Sequence, residues 1–241
     1  MLQAFLNIFR IAELRNKVFF TLSMLVIYRI GFWIPLIGVD QSMLQETAKT
    51  AMEDTESGFA RIAQFASIFS GGSLSQSTIF GLGIMPYITA SIIFQLLQSV
   101  LPQLQELKKE GASGQQKITE WTRYSTVGLC LVQGFMWLWY LKTQNLIQPQ
   151  FTSGINFTIF MVAGLTALTA GSVFLMWLGE QIDKYGIGNG VSLILTAGIL
   201  AQMPTAVSWI VANFNPSQQA EQGQLGLLPL VFLILAFVGV T

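Results

Sequence analysis

The 241-residue sequence contains no histidine and one cysteine, and only 10% of its residues are charged. Each shortage removes a class of function. Without histidine there is no Ser-His-Asp or Cys-His catalytic arrangement and no His-containing metal site. Cys130 has no second cysteine to pair with, and its apolar setting, Gly128-Leu129-Cys130-Leu131-Val132, marks it as a buried packing residue. Acids are absent from the interior of every long apolar run, where ion-coupled transporters carry them. A formal net charge of zero gives no argument for nucleic-acid binding, so no direct DNA contact is expected. No enzyme activity, metal or cofactor is expected.

What is abundant is apolar surface, at 52% of residues. Soluble domains carry about 25% charged residues, so this composition belongs in a bilayer. Runs at 18–37, 79–101, 124–141, 157–178 and 191–203 read as spans, with an extension of the fifth beyond Pro204 left open. A further run at 227–241 has 15 residues and no flanking charge, so the chain is expected to be the front part of a longer one or a truncated one. Arg10, Glu13, Arg15 and Lys17 precede a first run too long for a signal-peptide core. Within 1–17, Leu2, Phe5, Leu6, Phe9 and Ala12 share one helical face, which fits a helix on the membrane surface or one packed on a soluble partner. With the N-terminus in the cytoplasm, Arg10, Arg15, Lys17, Lys108, Lys109, Lys117, Arg123 and Lys184 fall inside, against Lys49, Arg61 and Lys142 outside. That satisfies the positive-inside rule. Arg29 lies inside the first run, where facing a water-filled interior, snorkelling and pairing between helices all fit.

Residues 59–101 read as one membrane segment with a break in it. A short apolar helix carrying Phe59, Ile62, Phe65, Ile68 and Phe69 stops at Gly71-Gly72. A polar stitch, Ser73-Leu74-Ser75-Gln76-Ser77-Thr78, leads into the long run ending at Leu101. The first piece is far short of the roughly 20 residues that cross a bilayer. Non-helical backbone at membrane depth survives only inside protein or beside water, so the break points to a cavity or pore. Ile84, Ile88, Ile92 and Ile93 follow the break, and Val191 and Leu195 follow a second glycine cluster. An aliphatic helix face of this kind more often packs or meets lipid than lines a pore; a plug-like half-helix beside it shifts the balance toward lining.

Other motifs reduce to architecture. Gly111-Ala112-Ser113-Gly114 looks like a protease nucleophile segment but follows Lys108-Lys109-Glu110 in a charged loop with no base available, so a loop is expected. Gly186-Ile187-Gly188-Asn189-Gly190 lacks the Lys-Ser/Thr of a phosphate-binding loop and is expected to be a tight turn opening the next helix. Ala163, Ala167 and Gly171 are expected to form a close-packing face in the fourth span.

Several long motifs, in matching order, resemble the SecY family of protein-translocation channel subunits. They are Tyr28-Arg29-Ile30-Gly31-Phe32-Trp33-Ile34-Pro35, the stretch from Phe69 through Ser75, the stretch from Ile79 through Ile93, the Lys108–Gly114 loop, and Phe174–Gln181 followed by the 186–190 cluster. The resemblance implies an all-α polytopic membrane protein with the channel fold of that family, which has ten spans in two inverted halves. This chain would be the first half, with a discontinuous plug and second helix: an N-terminal helix at 1–17, spans over 18–203, an external hinge at 204–226 and the start of a sixth span at 227–241. It implies a channel passing unfolded secretory polypeptide and releasing membrane segments sideways; a small-solute transporter with broken helices is the alternative. Phe59, Ile62, Phe65, Ile68, Phe69, Gly71 and Gly72 then match the plug, and Ile84, Ile88, Val191 and Leu195 the pore ring. The second span, with Ile92, Ile93, Gln95 and Leu96, would form one wall of the lateral gate. Lys108, Lys109, Lys117 and Arg123 would meet cytoplasmic partners, although Gln115-Gln116 stand where many relatives are basic. The implied partners are SecE, SecG, the SecA motor, the ribosome, signal peptide and nascent chain, and lipid. The implied location is a bacterial plasma membrane or a thylakoid membrane.

Overall fold

A computed structural model describes residues 11–44, 77–213 and Leu235. The plug positions at 59–72, the surface helix up to residue 10, the hinge beyond 213 and all of the sixth run but Leu235 lie outside them. The chain divides into two compact units, Met1–Ile199 and Leu200–Thr241.

Helix α1 spans Ala12–Gly31. No proline or glycine interrupts 12–30, so residues 12–17 continue the span helix and the boundary expected at 17/18 is absent. The helix also ends before the apolar run does. Pro35 biases the residue before it toward extended backbone. Gly31 lies directly under the Phe80 ring, where any Cβ would overlap the ring. Arg29 therefore sits in the last helical turn. It is exposed, its guanidinium 5.9 Å from the Phe32 ring, where a cation also suits the negative helix end.

Helix α2 (Met85–Val100) begins later than the expected 79. Pro86 near its first position favours that start, and Gly83 at φ +59° closes the turns before it. Leu101, at φ −90° and ψ 118°, takes the extended backbone that Pro102 imposes, and α3 (Pro102–Lys109) leaves at 96° to α2. Helix α4 is Ala112–Thr143, so the segment expected as a loop from 112 is helical, with only Gly111 turning at φ +74°. Helix α5 is Gly154–Tyr185, preceded by a single 3-10 turn at Pro149–Phe151. Helix α6, Gly190–Asn213, runs through Pro204, so residues 204–213 of the expected hinge are helical.

Among the described residues, α5 and residues 190–208 of α6 are long and apolar enough to cross a membrane; the bent α2–α3 pair would make a third. Helices α1 and α4 are long as well, with charged residues near both ends of each.

In the first unit α4 packs against α2, α3 and α5, and α1 packs against α5. The buried face of α5 is Phe160, Gly164, Leu168, Gly171, Leu175, Leu178 and Ile182. That corrects the expected small-residue face: Gly171 belongs to it, but Ala163 is exposed and Ala167 only half-buried. Gly164 instead admits Leu138 of α4, whose Cδ2 lies 2.9 Å from where a Cβ would sit. Cys130 is buried within this core, as its apolar setting predicts.

Beyond α1, Val39 pairs with Ile147, and Asp40 N–H donates to the Leu146 carbonyl at 3.0 Å. Asp40 Oδ1 accepts from the Ser42 hydroxyl at 2.5 Å and from the N–H groups of Ser42 and Met43 at 3.0 and 3.3 Å. It caps the helical turn at 41–44, and the bond from the Ser42 hydroxyl, then that from Met43, holds its carboxyl below the usual aspartate value.

Candidate functional site

The irregular segment 77–84 enters the first unit before α2. A 16-residue helix rises about 24 Å, less than the roughly 30 Å hydrocarbon core, so α2 alone falls short of a span and irregular backbone precedes it. Such backbone needs internal partners. Leu36 N–H donates to the Ser77 carbonyl at 2.8 Å and Ile79 N–H to the Ile34 carbonyl at 3.1 Å, while Gly81 and Gly83 N–H groups donate back to Thr78 and Phe80 at 2.8 and 2.7 Å. Trp137 Nε1 donates to Ser77 Oγ at 3.1 Å, holding a serine whose φ is +43°. At Gly171 a Cβ would collide with the Ile79 carbonyl, so α5 has a glycine where this backbone crosses it. Phe80 stacks on Phe174 at 5.9 Å and meets Phe32 edge-on at 6.1 Å.

These turns deliver Ile84 into a cluster with Tyr28, Phe32, Phe80, Leu175, Leu178, Ile182 and Ile194, against which Ile88 and Val191 pack half-buried. Three of the four ring candidates thus share one cluster. Leu195 is half-buried and outside that cluster; its neighbour Ile194 supplies the buried contact. Ile84 is 4% exposed, a packed side chain in this arrangement. Further along α2 the gate candidates Ile92, Ile93, Gln95 and Leu96 are all exposed, with Ile92 at 50% and Leu96 at 63%. Their face is apolar and uncovered by the described residues, in contrast to Pro86, Ala90 and Phe94 on the buried side.

The second glycine cluster opens α6 as expected. Asn189 Oδ1 accepts the Ser192 N–H at 2.9 Å, which makes it the N-cap. Gly188 takes φ +78°, and Gly190 lies so close to the Gly179 carbonyl that a Cβ would collide with it. Asp183 Oδ1 accepts the Gly190 N–H at 2.6 Å, and Ile187 N–H donates to Thr21 Oγ1 at 3.2 Å, tying the turn to α1.

The basic candidates divide. Lys108 and Lys109 are exposed at the end of α3. Lys117 lies 3.6 Å from Glu110. The Arg123 guanidinium is engaged by Glu180 of α5 through two parallel hydrogen bonds of 2.8 and 2.7 Å. Sequence reasoning missed this pair because its members are 57 positions apart, and only the α4–α5 crossing brings them together.

The SecY family model matches residues 78–241. The chain is 43% identical over 215 residues to the protein translocase subunit SecY of Corynebacterium glutamicum, covering 88% of this chain and 48% of that one. To the subunit of the same name from Haemophilus influenzae it is 41% identical, covering 94% and 47%; for Escherichia coli K12 the figures are 39%, 96% and 49%. The chain therefore spans about half the length of the curated relatives it matches. Among solved structures, Sec61 in the canine ribosome-channel complex from the endoplasmic reticulum superposes with TM-score 0.52 at 21% identity, covering 94% of this chain and 42% of that one. A structure described as that of a protein conducting channel gives the same TM-score, identity and coverage.

Proposed function

The chain belongs to the SecY family, and on that premise we propose that this membrane protein supplies one side of a channel that passes unfolded polypeptide. One observation carries the reading: irregular backbone at 77–84 is held by residues 31–36, α4 and α5, and it places Ile84 in a cluster against which Ile88 of one segment and Val191 of another both pack. An aliphatic constriction suits a polypeptide conduit. It closes loosely around any side chain and offers no polar group that would hold the substrate or pass ions readily. Ile84, Ile88, Val191 and Leu195 are the proposed ring, with Ile84 turning toward the path when the cluster opens. The exposed face carrying Ile92, Ile93, Gln95 and Leu96 is the proposed gate wall, where an apolar segment would leave for lipid. Residues 59–72 are the proposed plug.

The role proposed is conduction with no chemistry of its own, driven by SecA or a translating ribosome, with SecE and SecG alongside. Lys108 and Lys109, exposed where α3 ends, are the better placed of the basic residues to meet such a partner. The proposed setting is a bacterial plasma membrane with the N-terminus in the cytoplasm. The relatives' names speak for a polypeptide substrate, and the small-solute alternative is set aside.

Cysteines introduced at Ile88 and Val191 of the complete subunit, in its native membrane, test the reading. Both should crosslink to a secretory chain stalled in transit, while a cysteine at exposed Ile159 of α5 should not. No crosslink at any ring position would sink the assignment.

A further inference from the structure

An ion pair joins α4 to α5. Arg123 Nε donates to Glu180 Oε1 at 2.8 Å and its terminal nitrogen to Oε2 at 2.7 Å. The side chains are 45% and 24% exposed, so the carboxylate is the better sheltered partner. The buried residues of α4 on either side of Arg123 are Thr122 and Thr126, with Ile118 and Cys130 a turn further along the same face; the two threonine hydroxyls turn back onto the carbonyls of Ile118 and Thr122 at 2.9 and 2.7 Å. Those bonds stay within α4, so they do not fix its position against α5.

Glu180 belongs to the helical turn that seats α6. The preceding Gly179 carbonyl is the group that Gly190 approaches too closely for any side chain. Asp183 accepts the Gly190 N–H at 2.6 Å. One turn of α5 therefore holds α4 on one side, through Glu180, and the first residue of α6 on the other. Val191 follows that residue directly and packs into the same cluster as Ile88. Tyr87, next to Ile88, lies within electrostatic reach of Arg123, Glu180 and Asp183.

We infer that Arg123 and Glu180 are positioning residues for the ring: their ion pair clamps α4 to the α5 turn that seats α6 and so sets the spacing between Ile88 and Val191. The inference rests on the channel reading above and assigns Arg123 a role inside the subunit instead of at a partner. The planar guanidinium fork matters, because two parallel bonds resist rotation of one helix against the other as a single contact does not.

The test uses the complete subunit with its natural partners in membranes, carrying a cysteine pair at Ile88 and Val191. Two quantities are read without any substrate: the rate of crosslinking between the two cysteines and the ion leak of the resting channel. Arg123→Gln and Glu180→Gln should each shift both quantities, in the same direction and by about three- to fivefold, the scale of a partly exposed pair. The swap Arg123→Glu with Glu180→Arg should return both to within about twofold of the unaltered protein. Arg123→Lys, which keeps the charge but loses the fork, should fall between. Raising the salt concentration should move the unaltered protein toward the glutamine variants and leave those variants unmoved. If the swap fails to accumulate in membranes, the salt response and the matching single variants decide. An unchanged crosslinking rate in both glutamine variants overturns the inference. So does a translocation defect in Arg123→Gln that Glu180→Gln does not share, which would make Arg123 a partner contact. Failure of the channel reading would look different: no crosslink between a stalled secretory chain and the ring in the unaltered protein.

Discussion

At the scale of single residues, glycine marks where backbone passes backbone. A Cβ at Gly171 would strike the Ile79 carbonyl, and main-chain atoms have nowhere to move. Gly128 of α4, by contrast, is exposed and has nothing within 4 Å of the position its Cβ would take. Gly171→Ala should therefore destabilise by about 1–3 kcal/mol, an overpacking cost. Gly128→Ala should be neutral or stabilising by up to about 1 kcal/mol, since alanine is the better helix former. Thermal unfolding of the two variants in the same detergent checks the contrast. A count of glycines does not separate them, because both sit in apolar helices; the distinction needs the crossing chain. Arg29 teaches the same lesson. It lies inside an apolar run in the sequence, but the helix stops at Gly31 and leaves it in the last turn.

At the scale of elements, local chemistry explains most of the helix boundaries. Pro86 and Pro102 lie next to the starts of α2 and α3, and Asn189 starts α6 with a side-chain bond of 2.9 Å to Ser192 N–H. Asn189→Ala should cost about 1 kcal/mol and Asn189→Ser much less, as seen in unfolding midpoints, because serine also caps. The turn at 186–190 was legible from its glycines and asparagine. The delayed start of α2 was less so: residues 79–84 are apolar and read as span, yet the backbone bonds to 34–36 and the contact with α5 hold them out of helix. Those partners lie far away in sequence. The α5 packing face also escaped the pattern of small residues, since Leu138 fills the space at Gly164 and no local signal names that partner.

At the scale of the molecule, many large apolar side chains among the described residues face outward. Phe19 is 73% exposed, Trp33 79% and Ile155 79%. In water this would drive aggregation, and in a bilayer it is the solvent-matched face. Ala170, exposed near the middle of α5, should not tolerate an acid: Ala170→Asp should oppose insertion of that helix by about 2.5–3.5 kcal/mol. Ile155→Asp, in the first helical turn, should cost far less, since it lies near the interface and an acid favours a helix N-terminus. Protease protection of the flanking loops in membrane vesicles distinguishes the two.

Composition and hydropathy by themselves determined that this is a helical membrane protein, because the free energy of placing a side chain in hydrocarbon depends on that side chain and its near neighbours alone. The glycine and proline motifs determined where the chain turns and, through their order, the family. Tertiary structure decided which apolar residues meet one another and which meet lipid, a choice the one-letter code leaves open because leucine is equally at home in both. It also decided that Arg123 faces Glu180. A pairing across two helices depends on the angle and depth at which they cross, and those follow from packing contacts spread over the whole unit.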